Sequence, residues 1–114
     1  MERNRRKNLM LRIYPVCIEM VRGCRPCVEK IARFDADLAR QLRKASASVA
    51  LNVAEGSGSR GGKRRHCYDL ALGEAREVVA NLEVAEAIGY LSSVDAGLRR
   101  QLNEIIGTLV NIIR

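Results

Sequence analysis

Two short patterns in this 114-residue chain have spacings that elsewhere carry chemistry. Gly56-Ser-Gly-Ser-Arg-Gly61 has the G-x-G-x-x-G spacing with which a strand-to-helix turn lays its backbone against a pyrophosphate. That use needs a parallel βαβ unit and an acidic ribose ligand about 20 residues further on. Both flanks here read as long helices. The overlapping window Ser57–Arg64 lacks the first Gly and the final Ser/Thr of a P-loop. Glycines at these positions are expected to stop a helix at Gly56 and turn the chain as far as Lys63. Cys24-Arg-Pro-Cys27 has the C-x-x-C spacing of zinc and redox sites. Zinc would need two more ligands, and only Cys17, His66 and Cys67 are on offer. Adjacent residues such as His66 and Cys67 point about 100° apart on a helix. A redox pair would want a thioredoxin-like βαβ context, which is missing. Cys17, Cys24 and Cys27 share an apolar stripe and Cys67 lies on another, so all four are expected to pack as small hydrophobes. His66 is the single histidine, and nothing places a nucleophile or an orienting acid beside it. No catalytic residue, cofactor or metal is expected, and an enzyme is not the reading.

Basic residues carry the stronger signal. The formal net charge is +7, with +10 on residues 1–65 and −3 on residues 66–114. Such asymmetry favours an acidic partner for the N-terminal half, nucleic acid above all. Arg40, Arg43 and Lys44 fall on the outer face of a helix. Arg60, Lys63, Arg64 and Arg65 crowd the glycine-rich connection, beside a helix N-terminus whose free N–H groups attract anions. Arg3, Arg5, Arg6 and Lys7 lie in an arm expected over residues 1–8. These are the candidate nucleic-acid contacts. With one Phe, three Tyr and no Trp, no stacking platform is evident, and no RNA-binding module is recognisable. Binding would then run through phosphates with little sequence preference. A second reading is a scaffold whose basic surface meets an acidic protein. A third is a zinc or redox protein using Cys24 and Cys27.

These residues are carried by four segments with a helical period. The first, about 9–33, aligns Leu9, Ile13, Cys17, Met20, Cys24, Cys27, Val28 and Ile31. Pro26 should kink it. The second, about 35–56, starts on Asp35 as N-cap and aligns Leu38, Leu42, Ala45, Val49, Asn52 and Val53. The opposite face of its second half is also apolar, with Ala47, Ala50, Leu51 and Ala54. A helix apolar on both sides is usually covered on both sides. In so short a chain the second cover is expected from another subunit. Asn52, with Ser48 and Glu55 beside it, reads as a polar network stitching this helix to a neighbour. The third, about 64–88, aligns Cys67, Ala71, Ala75, Val78, Leu82 and Ala85. Its Glu74 and Glu77 are placed to pair with basic residues of a neighbouring subunit. The fourth, capped by Ser92 or Ser93 with Asp95 in its first turn, aligns Leu98, Leu102, Ile105, Leu109 and Ile112. Short connections imply an all-α, antiparallel up-down-up-down four-helix bundle, one domain over residues 9–114. No apolar run suits a membrane span and the N-terminus does not read as a signal peptide, so a cytoplasmic location with reduced thiols is expected.

Arg43-Lys-Ala-Ser-Ala-Ser-Val-Ala-Leu-Asn-Val-Ala-Glu-Gly56 resembles the signature of a bacterial family. These are the four-helix-bundle proteins encoded in intervening sequences of large-subunit ribosomal RNA genes. Ala45, Ser48, Val49, Asn52, Val53, Ala54, Glu55 and Gly56 match its first block. Ala71, Gly73 and Glu77 are similar to its second, from which Leu72 and Glu74 depart. Gly89-Tyr-Leu91 matches its usual end of helix 3. The resemblance implies structural roles for Ser48, Asn52, Glu55, Gly56, Gly73 and Glu77, and assembly as a homopentamer. It also implies kinship with the basic accessory proteins of diversity-generating retroelements, which engage nucleic acid.

Overall fold

A computed structural model describes the backbone from Glu2 and side chains from Arg12 to Arg114. Four helices make up the fold: α1 (Glu2–Ala32), α2 (Ala36–Ser57), α3 (Gly61–Ile88) and α4 (Ala96–Ile113). Helix α1 packs on α2 and α4, and α3 packs on the same two. The connections are short, so sequential neighbours run antiparallel. No strand occurs among the described residues. The expected all-α four-helix bundle is therefore the fold, 48 Å long and 24 × 20 Å across.

The inward stripes are those the helical period marks. Ile13, Cys17, Met20, Cys24 and Ile31 of α1 are buried, as are Leu42, Ala45, Val49 and Val53 of α2. All six residues of the α3 stripe are buried, and so are Leu98, Leu102, Ile105 and Leu109 of α4. Tyr68, Ala39, Leu91 and Val94 complete the core without belonging to any stripe read from sequence. Ala50 is only 6% exposed, so it belongs to this core and not to an outer face. The apolar arc of α2 is simply wide enough to take it in.

Helix α1 is continuous through Pro15 and Pro26, where a kink was expected at the second. Both prolines sit on the exposed side. There the carbonyls they leave unbonded face water, which limits the cost. The helix also continues back through residues 2–8, the segment read as an arm. The side chains of Arg3, Arg5, Arg6, Lys7 and Leu9 lie outside the described residues.

Asp35 caps α2 as expected, its Oδ1 accepting from the Leu38 N–H at 3.0 Å. Gly56 does not stop that helix. It lies inside the last turn, and a Cβ there would sit 2.3 Å from Cε1 of Tyr68. Glycine is needed so that the Tyr68 ring can lie against the α2 backbone. Helix α3 begins at Gly61, three residues earlier than its pattern suggests. Glycines cost little there, because first-turn N–H groups have no partner within the helix to lose. Its far end is a Schellman turn: Tyr90 N–H donates to Ala85 O at 2.9 Å, Gly89 N–H donates to Glu86 O, and Gly89 takes φ +97°. Tyr90 then stacks on Phe34 of the α1–α2 turn, centroids 5.3 Å apart, tying two connections together at one end of the bundle. The cap of α4 is Asp95, not Ser92 or Ser93: its Oδ2 accepts from Leu98 N–H at 3.1 Å. Leu91 and Val94 plug the core and hold the chain extended until then.

The cysteines are free. Cys17, Cys24 and Cys67 are buried and Cys27 half-buried, and the Cys24 thiol lies 3.7 Å from the Met20 sulfur. Burial pushes Cys17 and Cys24 up to about 12 from an ordinary value of 9.0, against a small opposing backbone hydrogen bond at Cys17 and with a small push from Cys27 at Cys24. No group of three metal-binding side chains converges among the described residues.

Two outcomes follow from this packing. Gly56→Ala should destabilise the fold by about 1–3 kcal/mol, as overpacking does, and Tyr68→Leu in the same chain should recover part of it in urea titration. Folding keeps Cys17 and Cys24 protonated well above the unfolded thiol value. Their contribution is thus complete below pH 9.0 and is lost as pH rises towards 12. Native labelling by a maleimide at pH 7.5 should be slow at these two sites and fast in denaturant. Fast native labelling of Cys24 would contradict the packing.

Candidate nucleic-acid interface

Antiparallel packing brings three chain segments to one end of the bundle: the start of α1, the α2–α3 connection and the end of α4. Arg60, Lys63, Arg64, Arg65 and Arg114 all stand there and all are exposed. No acidic residue interrupts the sequence from Gly56 to Tyr68. The connection itself is only Gly58-Ser-Arg60, so Lys63, Arg64 and Arg65 project from the first two turns of α3, not from a loop.

Three of these cations are lightly tethered. Arg64 Nε donates to the Ser59 carbonyl at 2.8 Å. Lys63 Nζ lies 3.9 Å from Glu55, and Arg65 Nε 4.0 Å from Asp69, with all four side chains more than half exposed. Pairs of this kind contribute little and exchange readily for another anion. Arg60 is the N-cap residue of α3, in extended backbone, and gives the helix no side-chain cap. The first turn of α3 holds no acidic residue. Its free N–H groups therefore add their positive potential to four cations. Tyr68 closes the base of this end. Burial raises its hydroxyl, while a hydrogen bond with Ser57 and the Arg64 charge act the other way.

The second basic set is arranged differently. Arg40, Arg43 and Lys44 are exposed on α2, and Arg40 pairs with Asp37 one turn earlier. They lie near the start of α2, towards the other end of the bundle, so the two basic sets do not form one patch.

The family-motif residues fall into two groups. Asn52 is half-buried, and its Nδ2 donates to both the carbonyl and the Oγ of Ser48 at 3.0 Å. Among the described residues that network stays within α2, the i to i+4 spacing letting Nδ2 reach both acceptors. Glu55 reaches across the connection to Lys63. Gly73 and Glu77 stand on the exposed face of α3. Glu74, half-buried beside Glu77, has its carboxyl pushed up first by burial, then by the Glu77 charge and by a hydrogen bond between the two.

Of the residues proposed for a subunit boundary, Leu51 is 69% exposed and Ala54 is exposed, Ala47 is half-buried, and Ala50 is in the core. Sequence reading missed a second set of exposed apolar side chains on α3: Leu70, Val84 and Ile88. It also missed Asn81, 6% exposed, whose Nδ2 has no hydrogen-bond partner. The 3.5-residue spacing of the α3 set was the available signal, hidden by Gly73 and Glu77 within it. No described helix is long and apolar enough to cross a membrane.

Comparisons with curated proteins and with solved structures give no match. The family profile described as 23S rRNA-intervening sequence protein matches residues 11–111, nearly the whole bundle, with the Ser48–Gly56 block on α2 and the Gly89 turn inside it. On that match, the chain belongs to the 23S rRNA-intervening sequence protein family.

Proposed function

We propose that this protein is a non-enzymatic, homo-oligomeric helical bundle that binds nucleic acid, structured RNA in particular, through phosphate contacts. The observation that carries this is the basic end of the bundle: Arg60, Lys63, Arg64 and Arg65 around an uncapped helix N-terminus. Arginine forks and free backbone N–H groups suit phosphate oxygens. The surface offers no base-reading device, so affinity comes from counterion release and carries little sequence information. Arg40, Arg43 and Lys44 add a second, separate cationic surface. Family membership, through a name tied to ribosomal RNA, is compatible with an RNA-related role.

Self-association rests on Leu51. An aliphatic side chain 69% exposed between Ala47 and Ala54 is a poor surface for a lone monomer and a good one for a subunit contact. The reading is a closed ring, of five copies as the family resemblance implies. A ring repeats the basic end around its axis, so modest phosphate contacts become multivalent. The protein is read as cytoplasmic, where its free thiols stay reduced.

Two measurements test this. The wild type should bind a structured RNA in low salt and lose affinity steeply as salt rises. Replacing Lys63, Arg64 and Arg65 together with Ala should weaken binding to all sequences about equally and flatten the log–log salt slope by up to about three. Absence of binding at low salt would overturn the nucleic-acid reading and leave an acidic protein as the partner of the basic surface. In light scattering the wild type should be an oligomer at micromolar concentration. Leu51→Glu should dissociate it with helical circular dichroism retained.

A further inference from the structure

Residues 70, 73, 77, 80, 84 and 87 recur at alternating steps of three and four along α3 and share one face of it. They are Leu70, Gly73, Glu77, Ala80, Val84 and Ala87, and every one is exposed. This is the seam pattern of a helix that meets another helix, yet α1, α2 and α4 occupy the other side. Ile88 extends the seam and is 56% exposed.

Gly73 points the same way. A glycine in the interior of a helix costs about 0.5–1 kcal/mol relative to alanine. Within this chain nothing requires it: a Cβ there would find no atom within 4 Å, and its φ is ordinary. Gly107 on α4 is equally open, but its face carries Asn103, Glu104 and Asn111, with half-buried Val110 as its apolar neighbour. On α3 the missing side chain sits between Leu70 and Glu77, where it admits the close approach of another backbone.

The charges on either side identify that other helix. Glu74 and Glu77, one turn apart, bring two like charges together, which is unfavourable unless a cation joins them. Neither has an ion-pair partner among the described residues. The outer face of α2 offers the converse arrangement, Arg43 and Lys44 followed by the apolar Ala47, Leu51 and Ala54. Arg43 and Lys44 likewise have no carboxylate within ion-pair distance among the described residues. Within one chain these two outer faces point away from each other.

We infer that the outer face of α3 is the surface on which the outer face of α2 from a second copy of this chain docks, with Glu74 and Glu77 meeting Arg43 and Lys44 and with Leu70 and Gly73 covering Leu51 and Ala54. The inference rests on the self-association proposed above and specifies both sides of the contact. Two different patches meet, so the contact is head-to-tail and generates a ring when the rotation closes.

The test uses the full chain, with light scattering and analytical ultracentrifugation, and circular dichroism as the control for folding. Leu70→Glu should weaken self-association strongly. Glu74→Lys with Glu77→Lys should weaken it about tenfold or more, and so should Arg43→Glu with Lys44→Glu. All four substitutions in one chain should restore it, because each copy then offers reversed charges to the next. A wild type that stays monomeric overturns both the ring and this contact. An assembled wild type unaffected by Leu70→Glu or by either charge pair overturns the contact and leaves the ring standing. Loss in both charge pairs without restoration in the combined chain shows that these faces do not meet each other.

Discussion

The structure depends first on how little side-chain volume α2 and α3 carry on their inward faces. Ala39, Ala45, Ser46, Ala50 and Gly56 are buried on α2, and Ala71, Ala75 and Ala85 on α3. Small residues let two helices approach closely, and burial of backbone and short side chains then replaces the large aromatics that this sequence lacks. Tyr68 is the one ring in the buried core, and Gly56 is the position that makes room for it. A bundle held this way fixes the relative height of α2 and α3. That height sets where the Gly58–Arg60 connection leaves the core, and so where four cations cluster.

How much of this the sequence discloses varies with the physics involved. The inward stripes are legible because a 3.6-residue period has no competing explanation in long helices. The Asp35 cap is legible because a carboxylate before an apolar run has one common use. Gly56 misleads because glycine serves turns and close approaches equally, and only Tyr68, twelve residues on and off every stripe, decides between them. The α4 cap misleads because Leu91 and Val94 hold the chain out of a helix that local sequence would start at Ser92 or Ser93. Ala50 reads as an outer residue only if the buried arc of α2 is narrow. Arg60–Arg65 is legible as a basic cluster, but its place on the first turns of α3 is not, since glycine pairs usually announce a loop. The exposed seam of α3 stays hidden because a polar and a missing side chain interrupt its apolar rhythm.

Charge is distributed along the bundle axis as well as between the two halves of the chain. The basic end gathers cations from the α2–α3 connection and the C-terminus, whereas towards the opposite end Glu83, Glu86 and Asp95 are mixed with Arg40, Arg43, Lys44 and Arg99, which bonds Glu86 at 2.7 Å. An anionic polymer is drawn most strongly to the end where the cations stand unmixed. A ring of parallel rods would present that end as a single charged rim. The flat sides are then available for contacts between copies, so assembly and ligand binding need not compete for the same residues.

The order of the helices along the chain has a consequence for synthesis. Helices α2 and α3 each pack on the helix before them, so two helical hairpins are complete while α4 is still in the ribosomal tunnel. Such local pairings form fast. The remaining flank of α1 is covered only when α4 emerges and Leu98 settles beside Gly23. Until that moment the Gly23 and Cys27 flank of α1 is open. Covering of Cys27 therefore comes late in folding, and a nascent chain stalled before α4 leaves this thiol more open to oxidants than the finished bundle does.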